Sequence, residues 1–146
     1  MIDIENLVFD TVYNQLHTMY PNVNITAGYD EQNAIFPVVV IRETNNQPYR
    51  DSATDECSEN HSRVTFEIEV YSDKANTARS ECKELLNAVD DIMQSMKFRR
   101  IHKNRPINID RTVYRQYARY EVIVGKPVTY NAGQQDERTV YQMYRR

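Results

Sequence analysis

The chain has 146 residues, enough for one domain that buries a core without disulfides or a structural metal. Its two cysteines, three glycines and formal net charge of −3 argue against a disulfide framework, a glycine-rich phosphate cradle and a globally basic nucleic-acid binder. No basic start followed by an apolar run marks a signal peptide, and no apolar stretch approaches the ~20 residues of a membrane span.

A first helix is expected from about Ile4 to Met19, where Ile4, Leu7, Val8, Val12, Leu16 and Met19 repeat at helical spacing and Asp3 is the expected N-cap. Tyr20-Pro21 ends it, because proline cannot continue the hydrogen-bond ladder. Val23–Ala27 alternates as a short strand, Gly28–Asn33 reads as a turn, and Ile35–Glu43 reads as a strand covered on both faces or central in the sheet. Thr44 to His61 is polar and aperiodic, which predicts a long loop of the kind that often carries function.

The organising stretch is Ser62–Met96. Val64, Phe66, Ile68 and Val70 alternate with Thr65, Glu67, Glu69 and Tyr71, the pattern of a strand with one buried and one wet face. Ser72 and Asp73 supply acceptors for a helix start. Ala75, Ala78, Cys82, Leu85, Leu86, Val89, Met93 and Met96 then form the apolar stripe of a long helix. A basic strand over Lys97–Asn104 and a turn at Arg105-Pro106 follow, and the last long strand is expected over Arg111–Lys126. Arg111, Arg115 and Arg119 share one strand parity there and are expected on one face. The order α-β-β-β-α-β-β predicts an α+β fold, a mostly antiparallel sheet of about five strands with two helices packed on one face. Residues 1–126 form the domain; residues 127–146 are read as a C-terminal extension.

The sequence carries little recognisable chemistry. His17, His61 and His102 have no local nucleophile and acid around them. Cys57 and His61 have the spacing of half a metal site, but Cys82, needed to complete it, lies on the apolar stripe of the helix. Glu67 and Glu69 sit side by side on a strand face, where carboxylates are ordinarily solvated. The sequence therefore gives no positive sign of an enzyme, a cofactor or a metal. The strongest positive feature is the basic run Lys97, Arg99, Arg100, His102, Lys103, Arg105, Arg111, Arg115 and Arg119, interleaved with Phe98, Tyr114, Tyr117 and Tyr120. Such strands can hold phosphates and stack bases, pair with a neighbouring subunit, or pair across strands with Glu67 and Glu69. Charge is divided along the chain: residues 1–96 hold 17 acidic and 6 basic side chains, and residues 97–146 hold 4 acidic and 12 basic. Two unlike halves suit a heterologous contact between copies, unless the halves interleave in space.

The element order resembles the tail terminator, or tail completion, proteins at the head–tail interface of long-tailed bacteriophages. The resemblance lies in the N-terminal helix, Phe36-Pro37-Val38-Val39-Val40, the polar loop, Val64–Asp73 running into the long helix, and Tyr117–Val124; it covers about residues 1–126. It implies a non-catalytic ring, typically a hexamer, made in the bacterial host cytoplasm and ending in the virion. Its partners are then further copies of itself, the tail tube protein and the head-side connector or stopper, with genomic DNA passing through the lumen and no membrane involved. By analogy, subunit or partner contacts are expected at Asp51, Asp55, Glu56 and Glu59 in the loop and at Arg99, Arg100, Lys103, Arg111, Arg115 and Arg119 on the basic strands. Beyond the matching part, the Tyr and Arg content of residues 127–146 suggests an arm on a neighbouring subunit with contacts at Tyr141 and Tyr144. The alternatives are another neck or tail-completion role, a small nucleic-acid module using strands 97–119, or an enzyme of an unrecognised type.

Overall fold

A computed structural model describes residues 1–49, 61–125, 128–131 and 137–145. The fold is α+β. Helix α1 (Glu5–Met19) precedes β1 (Asn24–Thr26), β2 (Val38–Pro48) and β3 (His61–Ser72). Helix α2 (Ala78–Ser95) follows, then β4 (Arg99–Lys103), β5 (Ile107–Asp110) and β6 (Val113–Gly125). Three short strands close the chain, β7 (Val128–Asn131), β8 (Glu137–Val140) and β9 (Met143–Tyr144). The main sheet has seven strands rather than about five, in the order β1-β2-β3-β6-β4 with β5 and β9 also on β6. β7 and β8 pair separately as a two-stranded ribbon.

The sheet is built around β3, which pairs antiparallel with β2 on one side and β6 on the other. β1 lies parallel to β2, so the sheet is mixed. The outer edge of the 13-residue strand β6 is shared by three short partners: β5 near Val113, β4 near Ala118, and β9 near Val124. β5 is not among the expected strands: Ile107–Asp110 alternates apolar and polar residues, but over only four positions, and both isoleucines remain about half exposed.

Both helices pack on one face. Val8, Val12 and Leu16 of α1 and Cys82, Leu85, Leu86, Val89, Ile92 and Met93 of α2 meet Val39 and Ile41 of β2, Val64–Val70 of alternate parity in β3, and Ala118, Tyr120, Val122 and Val124 of β6. Burial of this stripe is the main favourable term for the fold. α2 spans about 27 Å at 1.5 Å per residue, long enough to cross the central strands. It begins at Ala78, later than Ser72-Asp73 suggested, and Ala75 is not part of it. Asn76 is the reason: its positive φ of 64° breaks helical geometry just before Thr77. Ser72 still serves the helix, its Oγ donating to Glu81 Oε1 at 2.7 Å. Asp3 likewise serves α1 from one residue before the cap position, accepting the Glu5 N–H at 3.0 Å.

Two loop expectations change. Thr44–Pro48 belongs to β2 and pairs with β3 out to Ser62, across a bulge at Thr44 that breaks the side-chain alternation. The rest of the expected loop falls outside the described residues, except Tyr49, whose N–H donates to His61 O at 2.7 Å. At the other end, Arg111 is not in the last strand. It occupies the β5–β6 turn with φ 45°, so it does not share a face with Arg115 and Arg119.

Candidate functional site

The face of the sheet away from the helices carries the densest group of charged side chains. Strand parity places Arg42 of β2, Glu67, Glu69 and Tyr71 of β3, and Arg115, Tyr117, Arg119 and Glu121 of β6 together on it. Register then sets neighbours: Arg42, Glu67, Arg119 and His102 form one row across four strands. Opposite charges directly across a ladder attract, so the row is self-consistent.

Glu69 is the centre. Tyr71 Oη donates to its Oε2 at 2.5 Å, Arg115 Nη2 lies 3.2 Å from its Oε1, and Arg42 Nη2 contacts the same oxygen. Arg115 also reaches Glu67 Oε1 at 3.4 Å, while Arg119 Nε lies 3.5 Å from Glu67 Oε2. A second group on this face joins Arg63 and Arg99 to Glu121, at 3.7 and 3.8 Å. Tyr117 floors the lattice, with Arg115 Cζ 4.6 Å and Arg119 Cζ 5.4 Å from its ring centroid.

The glutamates are not solvated, contrary to the sequence reading: Glu67 is 9% and Glu69 3% exposed. The long arginine stems lie over them, and Tyr29 stacks on Tyr71 at a centroid distance of 4.0 Å. Val38, Val40, Phe36 and Val113 complete an apolar patch around that pair. Burial alone raises a carboxyl pKa. At Glu69 the hydrogen bonds from Tyr71 and Arg115 and the charges of Arg115 and Arg42 outweigh it and hold the group below the ordinary glutamate range. Burial, followed by the Glu69 carboxylate, pushes the Tyr71 hydroxyl up to about 12.

The predicted contact residues divide among several places. Arg99, Arg115 and Arg119 share the open face and are paired within the chain. Arg100 faces the helix side and pairs with Asp90 at 2.9 Å, next to the buried Tyr120 hydroxyl that donates to the same carboxylate at 2.7 Å. Lys103 is exposed at the end of β4, and Arg111 sits in its turn. Tyr141 packs against the main core, and Tyr144 pairs with Ile123 on β6 of its own chain, its ring 5.7 Å from His61. Asp51, Asp55, Glu56 and Glu59 lie outside the described residues. Arg42, Tyr29 and Tyr71 were missed as members of the site. The usable signal was parity: Arg42 falls two positions from Val40 on a strand read as buried on both faces.

The interleaving of β3 and β6 settles where much of the divided charge goes. Acids from the first part of the chain, Glu67, Glu69 and Asp90, are paired with Arg100, Arg115 and Arg119 from the second. Cys82 is a buried thiol pushed up to about 12, chiefly by burial and then by Glu81, with Tyr114 O at 3.5 Å; this suits a structural thiol rather than a nucleophile. Among the described residues no three His, Cys, Asp or Glu side chains converge as a metal-binding group, and no helix is long and apolar enough to cross a membrane. Neither a protein-family model nor a curated protein sequence matches this chain.

Proposed function

We propose that this chain is a non-catalytic structural protein of a tailed bacteriophage particle, a ring-forming tail terminator that caps the tail tube and joins it to the head connector. The observation that carries the ring is the unlike character of the two sheet edges. Next to β1, the exposed Asp30, Glu31 and Ile35 offer acid and one apolar side chain; Ile35 is 71% exposed. On the opposite edge, β4 and β5 expose Ile101, Ile107 and Ile109 beside Arg99, Lys103 and Arg105. An unpaired edge with isoleucines is a surface that folded proteins usually cover. Joining one edge to the other is a heterologous contact, the kind that builds a ring when its rotation closes and a filament when it does not. The terminator assignment within ring proteins rests on the element order and on the β3–α2 unit that resembles that family.

Light scattering of the purified full chain at low and high salt, with and without tail tube protein, tests this. The expected result is a mass near six copies, or a monomer that assembles on tube protein, with rings loosened by salt. A monomer at every salt concentration that ignores tube protein overturns it.

A further inference from the structure

A second basic region lies away from the open face. A groove of 510 Å³ is walled by Lys74, Arg79, Lys83 and Arg111, with Asn76, Ser80, Asn108 and Thr112 supplying neutral hydrogen-bonding groups and no carboxylate in its lining. Three elements make it. Lys74 comes from the β3–α2 connection, Arg79 and Lys83 from adjacent turns of one face of α2, and Arg111 from the β5–β6 turn. Asn108 fixes that turn, its Nδ2–H donating to Arg111 O at 2.8 Å.

The groove is electrostatically unresolved. Lys74 has Glu81 at 3.8 Å, outside the lining, but Arg79, Lys83 and Arg111 have no ion-pair partner among the described residues. Like charges one helical turn apart repel, and a cleft between low-dielectric walls concentrates their field. Ala78, Arg79 and Ser80 belong to the first turn of α2, so the positive end of that helix adds to the same field. The arginines of the open face sit against carboxylates of their own chain; these three cations do not.

We propose that this groove is a binding site for a phosphate-bearing ligand. Arg79 and Arg111 act as forked donors from opposite walls, Lys83 as a point charge, and Ser80 and Thr112 as neutral donors to the remaining oxygens. The chemistry is that of a phosphate ester or diphosphate, carried either by a small molecule or by a nucleic-acid backbone. The site is independent of ring formation and is read separately from it.

The test uses the full chain and two probes, inorganic pyrophosphate and a fluorescent DNA duplex. Pyrophosphate, against chloride at matched ionic strength, is expected to raise the unfolding midpoint by about 2–4 °C at saturation. Arg79→Ala and Lys83→Ala, both at exposed positions, are expected to weaken binding about tenfold each. Lys97→Ala, exposed and outside the groove, leaves it within about twofold. A duplex that binds, is displaced by pyrophosphate and is weakened by Lys83→Ala identifies the backbone as the source of the phosphate. Pyrophosphate binding with the duplex ignored identifies a small ligand. A midpoint that does not respond to pyrophosphate, or responds equally in all three variants, overturns the proposal. So does binding of polyglutamate without any phosphate response, which would assign the groove to an acidic polypeptide.

Discussion

Among the described residues, two clusters of positive charge differ in what faces them. On the open face, Arg42, Arg115 and Arg119 close on Glu67 and Glu69 from strands on either side of β3. In the groove at the start of α2, Arg79, Lys83 and Arg111 share a lining that carries no carboxylate. The first cluster is finished within one chain, so its main contribution is to the fold. It fixes the register of β2, β3 and β6, because a one-residue slip would put every arginine on the wrong face. The second cluster has no carboxylate partner for Arg79, Lys83 or Arg111 among the described residues. Counting arginines in the sequence cannot separate the two; partner geometry can.

The largest break in that contrast is expected from Glu69→Ala. It strips the shared acceptor from Tyr71, Arg42 and Arg115 and leaves a buried hydroxyl and a half-buried guanidinium without it. A loss of about 3 kcal/mol is expected, less than for a fully enclosed pair because Arg42 is half exposed. Urea unfolding measures it, and a change below about 0.5 kcal/mol would remove the lattice from the stability account.

The pH dependence is expected next. Tyr71 ionises more reluctantly folded than unfolded, so its contribution is complete below its ordinary value of 10.0 and is lost as pH rises to about 12. Tyr71→Phe should make the alkaline limb less steep without abolishing it, because Tyr120, Tyr20 and Tyr29 are also raised, and should cost about 1 kcal/mol near neutrality, read from unfolding midpoints across pH. Glu69 has the opposite sign. Its folded pKa is depressed, so its contribution is present above the ordinary 4.5 and disappears as pH falls through the lowered value. Glu69→Gln should therefore be less acid-sensitive than the parent.

Legibility followed burial. The helical stripe of α2 and the alternation of Val64–Val70 were readable because each element buries one face against the same core. The glutamates were misread as wet because strand parity shows which residues share a face but not what lies over them. Covering them required Arg42 and Arg115 from β2 and β6, strands whose register with β3 is tertiary information. Arg111 was misassigned for a local reason, a turn made with φ 45° at a residue that carries no glycine signal. The extension of β2 to Pro48 is hidden by its bulge and polar composition, and β5 by its length, since four alternating residues are too few to mark a strand. The groove combines Lys74, Arg79 and Lys83 with a turn about thirty residues later, a juxtaposition that no spacing in the sequence announces.

The smallest effect is the sharpest test of the contrast. Arg79→Glu places a carboxylate in the first turn of α2 and four residues before Lys83, the favourable orientation for a helical ion pair and for the helix dipole. Without phosphate this variant should be more stable than the parent by about 0.5 kcal/mol, a rise of one or more degrees in Tm. An arginine that belonged to a completed network would show the reverse. At Arg115, where three groups on β3 depend on the guanidinium, Arg115→Glu should destabilise by about 3 kcal/mol, because it sets like charges against Glu67 and Glu69. Opposite signs for the same substitution at two arginines would separate charge that holds the fold from charge held ready for a ligand. Equal signs would mean that the groove is balanced by contacts of its own.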